Sequence, residues 1–104
     1  MAPALITRHS ERVAALCRRH RVHRLDVFGS VVDGSFDPTT SDIDFLVEFE
    51  ALPVSEYADA WFALKEGLEA IFGRPVDLIT DTAATNPYFR DSVAASRQPV
   101  YAAG

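Results

Sequence analysis

Apolar positions along the chain recur with two different periods, and the switches between them divide it into elements. Over about residues 3–20, Ile6, Val13, Leu16, Cys17 and His20 fall on one helical face. Pro3 suits a first helical turn, and arginines gather late in the segment, where the helix dipole favours cations. Arg24-Leu25-Asp26-Val27-Phe28 then alternates and stops at Gly29, the pattern of a strand entering a turn. Gly34, Pro38, Thr39, Thr40 and Ser41 punctuate residues 29–41 as a loop, with room for one helical turn near its start.

Ile43, Phe45, Val47 and Phe49 alternate with Asp42, Asp44, Leu46, Glu48 and Glu50, which predicts a strand with one apolar and one acidic face. Pro53 or Ser55 opens a helix on which Tyr57, Trp61, Leu64, Leu68 and Ile71 form a core stripe, and Gly73 ends it before Pro75. Val76-Asp77-Leu78-Ile79 reads as a third strand. Asn86-Pro87 caps and opens a last helix, with Phe89 and Val93 on one side, and Pro99-Val100-Tyr101 adds a terminal edge strand. This order predicts an α/β (α+β) fold, a small mixed sheet of three to four strands packed with helices.

The length of 104 residues and a hydrophobic content of 48% suit a single domain over 1–104 with one modest core. No apolar run approaches the ~20 residues of a membrane span, and the first residues lack the pattern of a signal peptide. Cys17 alone can form no internal disulfide. A cytoplasmic protein without membrane contact is expected.

Charge is unevenly spread. Residues 1–24 carry six arginines against one glutamate, a balance of +5, while the other 80 residues carry four basic and fourteen acidic side chains, a balance of −10. The basic start reads as a solvated arginine-rich helix face or as a contact for nucleic acid or an acidic partner. The acidic remainder speaks against stable nucleic-acid binding and for bound metal ions or a basic partner.

The chemistry concentrates in Gly29-Ser30-Val31-Val32-Asp33-Gly34 followed by Ser41-Asp42-Ile43-Asp44. Asp42 and Asp44, two apart on a strand, leave the same face with Cα atoms about 6.5–7 Å apart. Like charges there are costly unless protonated, solvated or bridged by a cation, and hard cations such as Mg²⁺ take paired carboxylates with substrate phosphates. Gly29-Ser30 after a strand admits a phosphate close to the backbone. Asp77, a lone acid in an apolar strand, either faces water at a strand edge or needs a partner, which a role as third metal ligand or as base for a hydroxyl would give it. His9, His20, His23 and Cys17 are not spaced as a metal set and are read as core or surface residues.

A Gly-Ser turn, a short loop and Ser41-Asp42-Ile43-Asp44-Phe45-Leu46-Val47-Glu48-Phe49 together resemble the signature of the DNA polymerase β-type nucleotidyltransferases. The short length points to their minimal form, the MNT domain, whose members are often antitoxins paired with HEPN-domain toxins. The resemblance implies a nucleotidyltransferase fold and transfer of a nucleoside monophosphate, usually AMP from ATP, to a hydroxyl. In an antitoxin that hydroxyl resembles a tyrosine of the partner HEPN toxin. It further implies that Asp42, Asp44 and Asp77 hold two Mg²⁺ ions and carry catalysis, and that Gly29 and Ser30 grip the phosphates. The family loop commonly reads G-S-x-A-R-G; here Val32 and Asp33 stand where Ala and Arg are usual, and eleven residues separate Ser30 from Asp42.

Three functions follow from this reading. The first is protein adenylyltransfer by an antitoxin in a hetero-oligomer with its toxin. The second is an antitoxin of the same fold that neutralises its toxin by contact. The third, small-molecule nucleotidyl transfer, ranks last because 104 residues leave no space for an acceptor-binding domain.

Overall fold

The computed structural model describes residues 4–33, 37, 42–80, 91 and 97–103. The amphipathic start of the chain folds as two helices, α1 (Ala4–Thr7) and α2 (Ser10–Arg19), where the sequence predicts one. The break falls at Arg8 and His9. There the His9 N–H donates to Ile6 O at 3.1 Å, and His9 starts α2 as its N-cap with φ −110°. The reorientation lets both Ile6 and Val13 reach the core, and the His9 ring packs edge-on against Phe72 at 5.3 Å.

Strand β1 (Val22–Phe28) follows through Arg21, a non-glycine residue at φ 58°. This left-handed conformation costs an L-residue about 1–2 kcal/mol. It is held by the Glu50 N–H donating to Arg21 O at 2.9 Å and by the Arg21 guanidinium donating to Ala51 O at 3.3 Å. The single turn α3 (Ser30–Asp33) comes next, then β2 (Ile43–Phe49), the long helix α4 (Val54–Phe72), β3 (Val76–Thr80) and β4 (Gln98–Ala102). Helix α4 ends as its sequence predicts: Gly73 takes φ 66°, and its N–H donates to Glu69 O at 2.8 Å. The last helix predicted from Asn86-Pro87 lies outside the described residues.

The sheet order is β3-β2-β1-β4, with β1 antiparallel to β2 and β4, and β2 parallel to β3. A parallel neighbour needs a crossover of a dozen residues or more, and α4 supplies it. The terminal edge strand is present and slightly longer than predicted. The mixed four-stranded sheet with helices is the architecture read from the sequence.

One face of the sheet turns toward the helices. Leu25, Val27, Ile43, Phe45, Val47, Val76 and Leu78 pack there against Ile6, Val13, Cys17, Leu64, Leu68 and Phe72. Each such burial is worth about 1.5–3 kcal/mol. Helices α2 and α4 approach closely at Gly67, where a Cβ would stand 2.6 Å from Leu16 Cδ1. Burial pushes the Cys17 thiol up to about 12, so it behaves as a small apolar group. The Trp61 indole N–H donates to Leu78 O at 3.2 Å, tying α4 to β3. No helix among the described residues is long and apolar enough to cross a membrane.

Candidate active site

Period-2 alternation decides where the acids go. With Ile43, Phe45 and Val47 committed to the helix side, Asp44, Leu46 and Glu48 must leave the opposite face. The parallel register sets Ile43 beside Val76 and Asp44 beside Asp77. The two acids therefore project from one face on neighbouring strands, with backbones about 4.8 Å apart. Asp42 lies one residue before β2 and is exposed, as is Asp77, while Asp44 is half-buried between them.

These positions show in the charge balance of the site. Burial pushes the Asp44 carboxyl up to about 6, and the negative charges of Asp77 and then Asp42 add to the rise. Asp44 thus feels both neighbours, yet the acids form no closed cage: among the described residues, no three Asp, Glu, His or Cys side chains surround one point. Their chemistry nevertheless fits a hard divalent cation, because three carboxylates offer oxygen donors and a cation would relieve their mutual repulsion.

Gly29 closes the site from the β1 side. Phe28 is the register partner of Asp44, so the chain turns out of β1 directly against that acid. Gly29 has φ 78°, and a Cβ there would stand 2.5 Å from Asp44 Oδ2. The backbone angle favours glycine, and any Cβ there would displace the Asp44 carboxylate. Ser30 begins α3, where the Val32 N–H donates to Gly29 O at 2.9 Å. The side chains of Ser30 and Asp33 lie outside the described part of the structure.

Of the residues nominated from the sequence, Asp42, Asp44, Asp77 and Gly29 thus come together where β1 ends and β2 and β3 begin. His9 and Cys17 serve packing, and His20 caps the end of α2. Asp26 joins these residues without a local motif to mark it. It is fully buried, on the same face as Asp44, and carries ion pairs to Arg24 at 3.1 Å and to Arg97. Its sequence signal is the same as that of Asp77, an acid inside the apolar run Leu25-Asp26-Val27-Phe28. Its main partner, however, stands 71 residues further on.

Residues 10–100 match the family described as "Nucleotidyltransferase domain". A protein of Methanocaldococcus jannaschii, provisionally named a protein adenylyltransferase, is 36% identical over 75 residues, covering 72% of this chain and 73% of its own. A solved structure provisionally called a minimal nucleotidyltransferase superposes with TM-score 0.67 at 32% identity, over 95% of this chain and 96% of its own. The MNT antitoxin complex with the tri-AMPylated HEPN toxin of Shewanella oneidensis contains a chain similar in fold, with TM-score 0.63 at 17% identity, over 94% of this chain and 73% of that one. With a match that spans most of its length and a relative above one-third identity, the chain belongs to the nucleotidyltransferase domain family.

Proposed function

We propose that this protein transfers AMP from ATP to a hydroxyl, that of a tyrosine on a partner HEPN-type toxin, and thereby acts as an antitoxin. The observation that carries the reading is the register of β2 on β3, which sets Asp44 beside Asp77 at the mouth of the Gly29 turn. The family and the adenylyltransferase relative supply the reaction class, and the antitoxin neighbour supports the kind of partner.

In this reading Asp42, Asp44 and Asp77 hold Mg²⁺, as two ions. Bound there, Mg²⁺ would neutralise the polyphosphate and the charge that develops during in-line displacement. Gly29 and Ser30 keep the phosphates close to the backbone. Asp77, on the outer strand and exposed, is placed to orient the acceptor hydroxyl and take its proton onto a carboxylate oxygen. The acceptor oxygen bonds to the α-phosphorus, the bond from that phosphorus to the bridging oxygen breaks, and pyrophosphate leaves with the electron pair. The protein forms no covalent bond, so catalysis rests on positioning and charge.

The test incubates the protein with Mg²⁺, ATP labelled at the α-phosphate and the product of the adjacent gene, alongside the double substitution Asp42→Asn, Asp44→Asn. Label on the partner that disappears with the double substitution is expected. An unlabelled partner that both versions inhibit equally would overturn the enzyme reading in favour of neutralisation by contact.

A further inference from the structure

The buried ion cluster on the candidate-site face has no use in the chemistry above. Asp26 is 0% exposed, and its Oδ2 receives Nε and an Nη of Arg97, whose side chain is 30% exposed. Arg24 Nε donates to Oδ1 at 3.2 Å. The apolar neighbours on this face are Phe28, Leu46 and the partly buried Ile79, a small set beside the core under the helices. An ion pair taken out of water there gains little net stability, because desolvation offsets the attraction. Apolar side chains of similar volume would serve folding as well. What the pair does supply is a fixed position for a guanidinium.

That position is close to the acids. Asp26 pairs with Leu46 across the β1–β2 ladder, which makes Asp44 its diagonal neighbour, about 7–8 Å away between Cα atoms and within reach of long side chains. Arg97 directly precedes β4, whose Gln98 pairs with Val27, so it stands on the β1 side of Asp44, opposite Asp77. A guanidinium has five N–H donors and suits phosphate oxygens. Among the described residues Arg97 bonds to Asp26 through one edge, and its partly exposed side chain can turn N–H groups of the other edge toward a ligand.

We propose that Arg97 binds the polyphosphate of the nucleoside triphosphate and that Asp26 is the positioning residue that holds it there. The proposal rests on the nucleotidyl-transfer reading. Arg97 adds a fixed positive charge to a site otherwise built from three acids, on the side away from the acceptor. Asp26 acts only through Arg97, so removing either should remove the same interaction.

The experiment measures affinity for the non-hydrolysable α,β-methylene analogue of ATP and for AMP, each with Mg²⁺, by titration calorimetry. It compares the unaltered protein with Arg97→Gln, Arg97→Lys, Asp26→Asn and the double substitution Asp26→Asn, Arg97→Gln. Arg97→Gln is expected to weaken the triphosphate analogue about tenfold or more and AMP less than about twofold. Arg97→Lys should retain part of the affinity, Asp26→Asn should reproduce the loss, and the double substitution should be no worse than Arg97→Gln alone. The apolar pair Asp26→Leu, Arg97→Met, which should keep the melting temperature, is expected to lose triphosphate affinity to the same extent. Unchanged triphosphate affinity in Arg97→Gln or in the apolar pair, or an equal loss for both ligands, would overturn the assignment while leaving nucleotidyl transfer intact. Unaltered protein that binds neither ligand would contradict both.

Discussion

The two faces of the sheet are made by the same strands and obey different rules. Toward the helices, every inward position of β1, β2 and β3 named above is apolar, and the neighbours from α1, α2 and α4 are apolar as well. On the other face, the buried Phe28 and Leu46 stand among Asp26, Asp44 and Asp77. The first face is explained by burial alone. On the second, like charges are assembled and one carboxylate is held far above its ordinary range. Folding gains nothing from that arrangement, and the proposed site for a cation and a polyanion would account for it.

The sharpest way to separate the faces is to empty one of them. Phe45→Ala, in the middle of the helix-facing core, should cost about 3–5 kcal/mol in urea unfolding. Loss of under about 1 kcal/mol there would mean that the core does not rest on β2. Gly29→Ala comes next. Its left-handed angle and the clash with Asp44 together predict a loss of about 1–3 kcal/mol, with a fall in nucleotidyl transfer because the carboxylate must move. A substitution that leaves both stability and transfer unchanged would break the link between the turn and the site.

Asp44→Asn should act in the opposite direction. The folded protein keeps the Asp44 proton up to about pH 6, whereas the unfolded chain releases it near the ordinary value of 3.8. Between those values the folded state binds more protons, so its stability falls as pH rises through the window. Asn removes that dependence and should raise stability at pH 7 by about 1 kcal/mol, discounted for partial exposure. The melting temperature of the two proteins across pH 4–7 checks the sign.

The smallest effect belongs to the helix side. Glu69 accepts the Val76 N–H at 3.1 Å and pairs with Lys65 at 3.0 Å. Both hold its carboxyl below the ordinary range, the Val76 N–H most. This contribution is present above the ordinary carboxylate range and lost as pH falls through the lowered value, the reverse of Asp44. Lys65→Met should cost less than about 0.5 kcal/mol in urea unfolding.

The same contrast explains what was legible in the sequence. β2 and its acidic pair were readable because alternation and register are local, and α4 because its stripe and Gly73 lie within one segment. Asp77 stood out as an acid among apolar neighbours, and the parallel register then set it beside Asp44. Three features escaped. The break at His9 depends on the core that Ile6 must reach and on the face of Phe72, far along the chain. Leu46, grouped by alternation with the acids, is buried because Phe28 lies on the same face. Asp26 is satisfied by Arg97, which no local pattern could pair with it. Contacts between distant segments decide all three.

We hold that the acids of the second face are kept for a cation and a nucleotide at a cost in stability. The most direct measurement is the melting temperature of the unaltered protein and of Asp44→Asn at pH 7, each with and without Mg²⁺ and ATP together. Without ligands Asp44→Asn should melt higher. With them the unaltered protein should gain several degrees and Asp44→Asn little or nothing, closing the gap. Equal gains in both proteins, or an Asp44→Asn that melts lower without ligands, would mean that Asp44 is not kept for these ligands at a cost in stability.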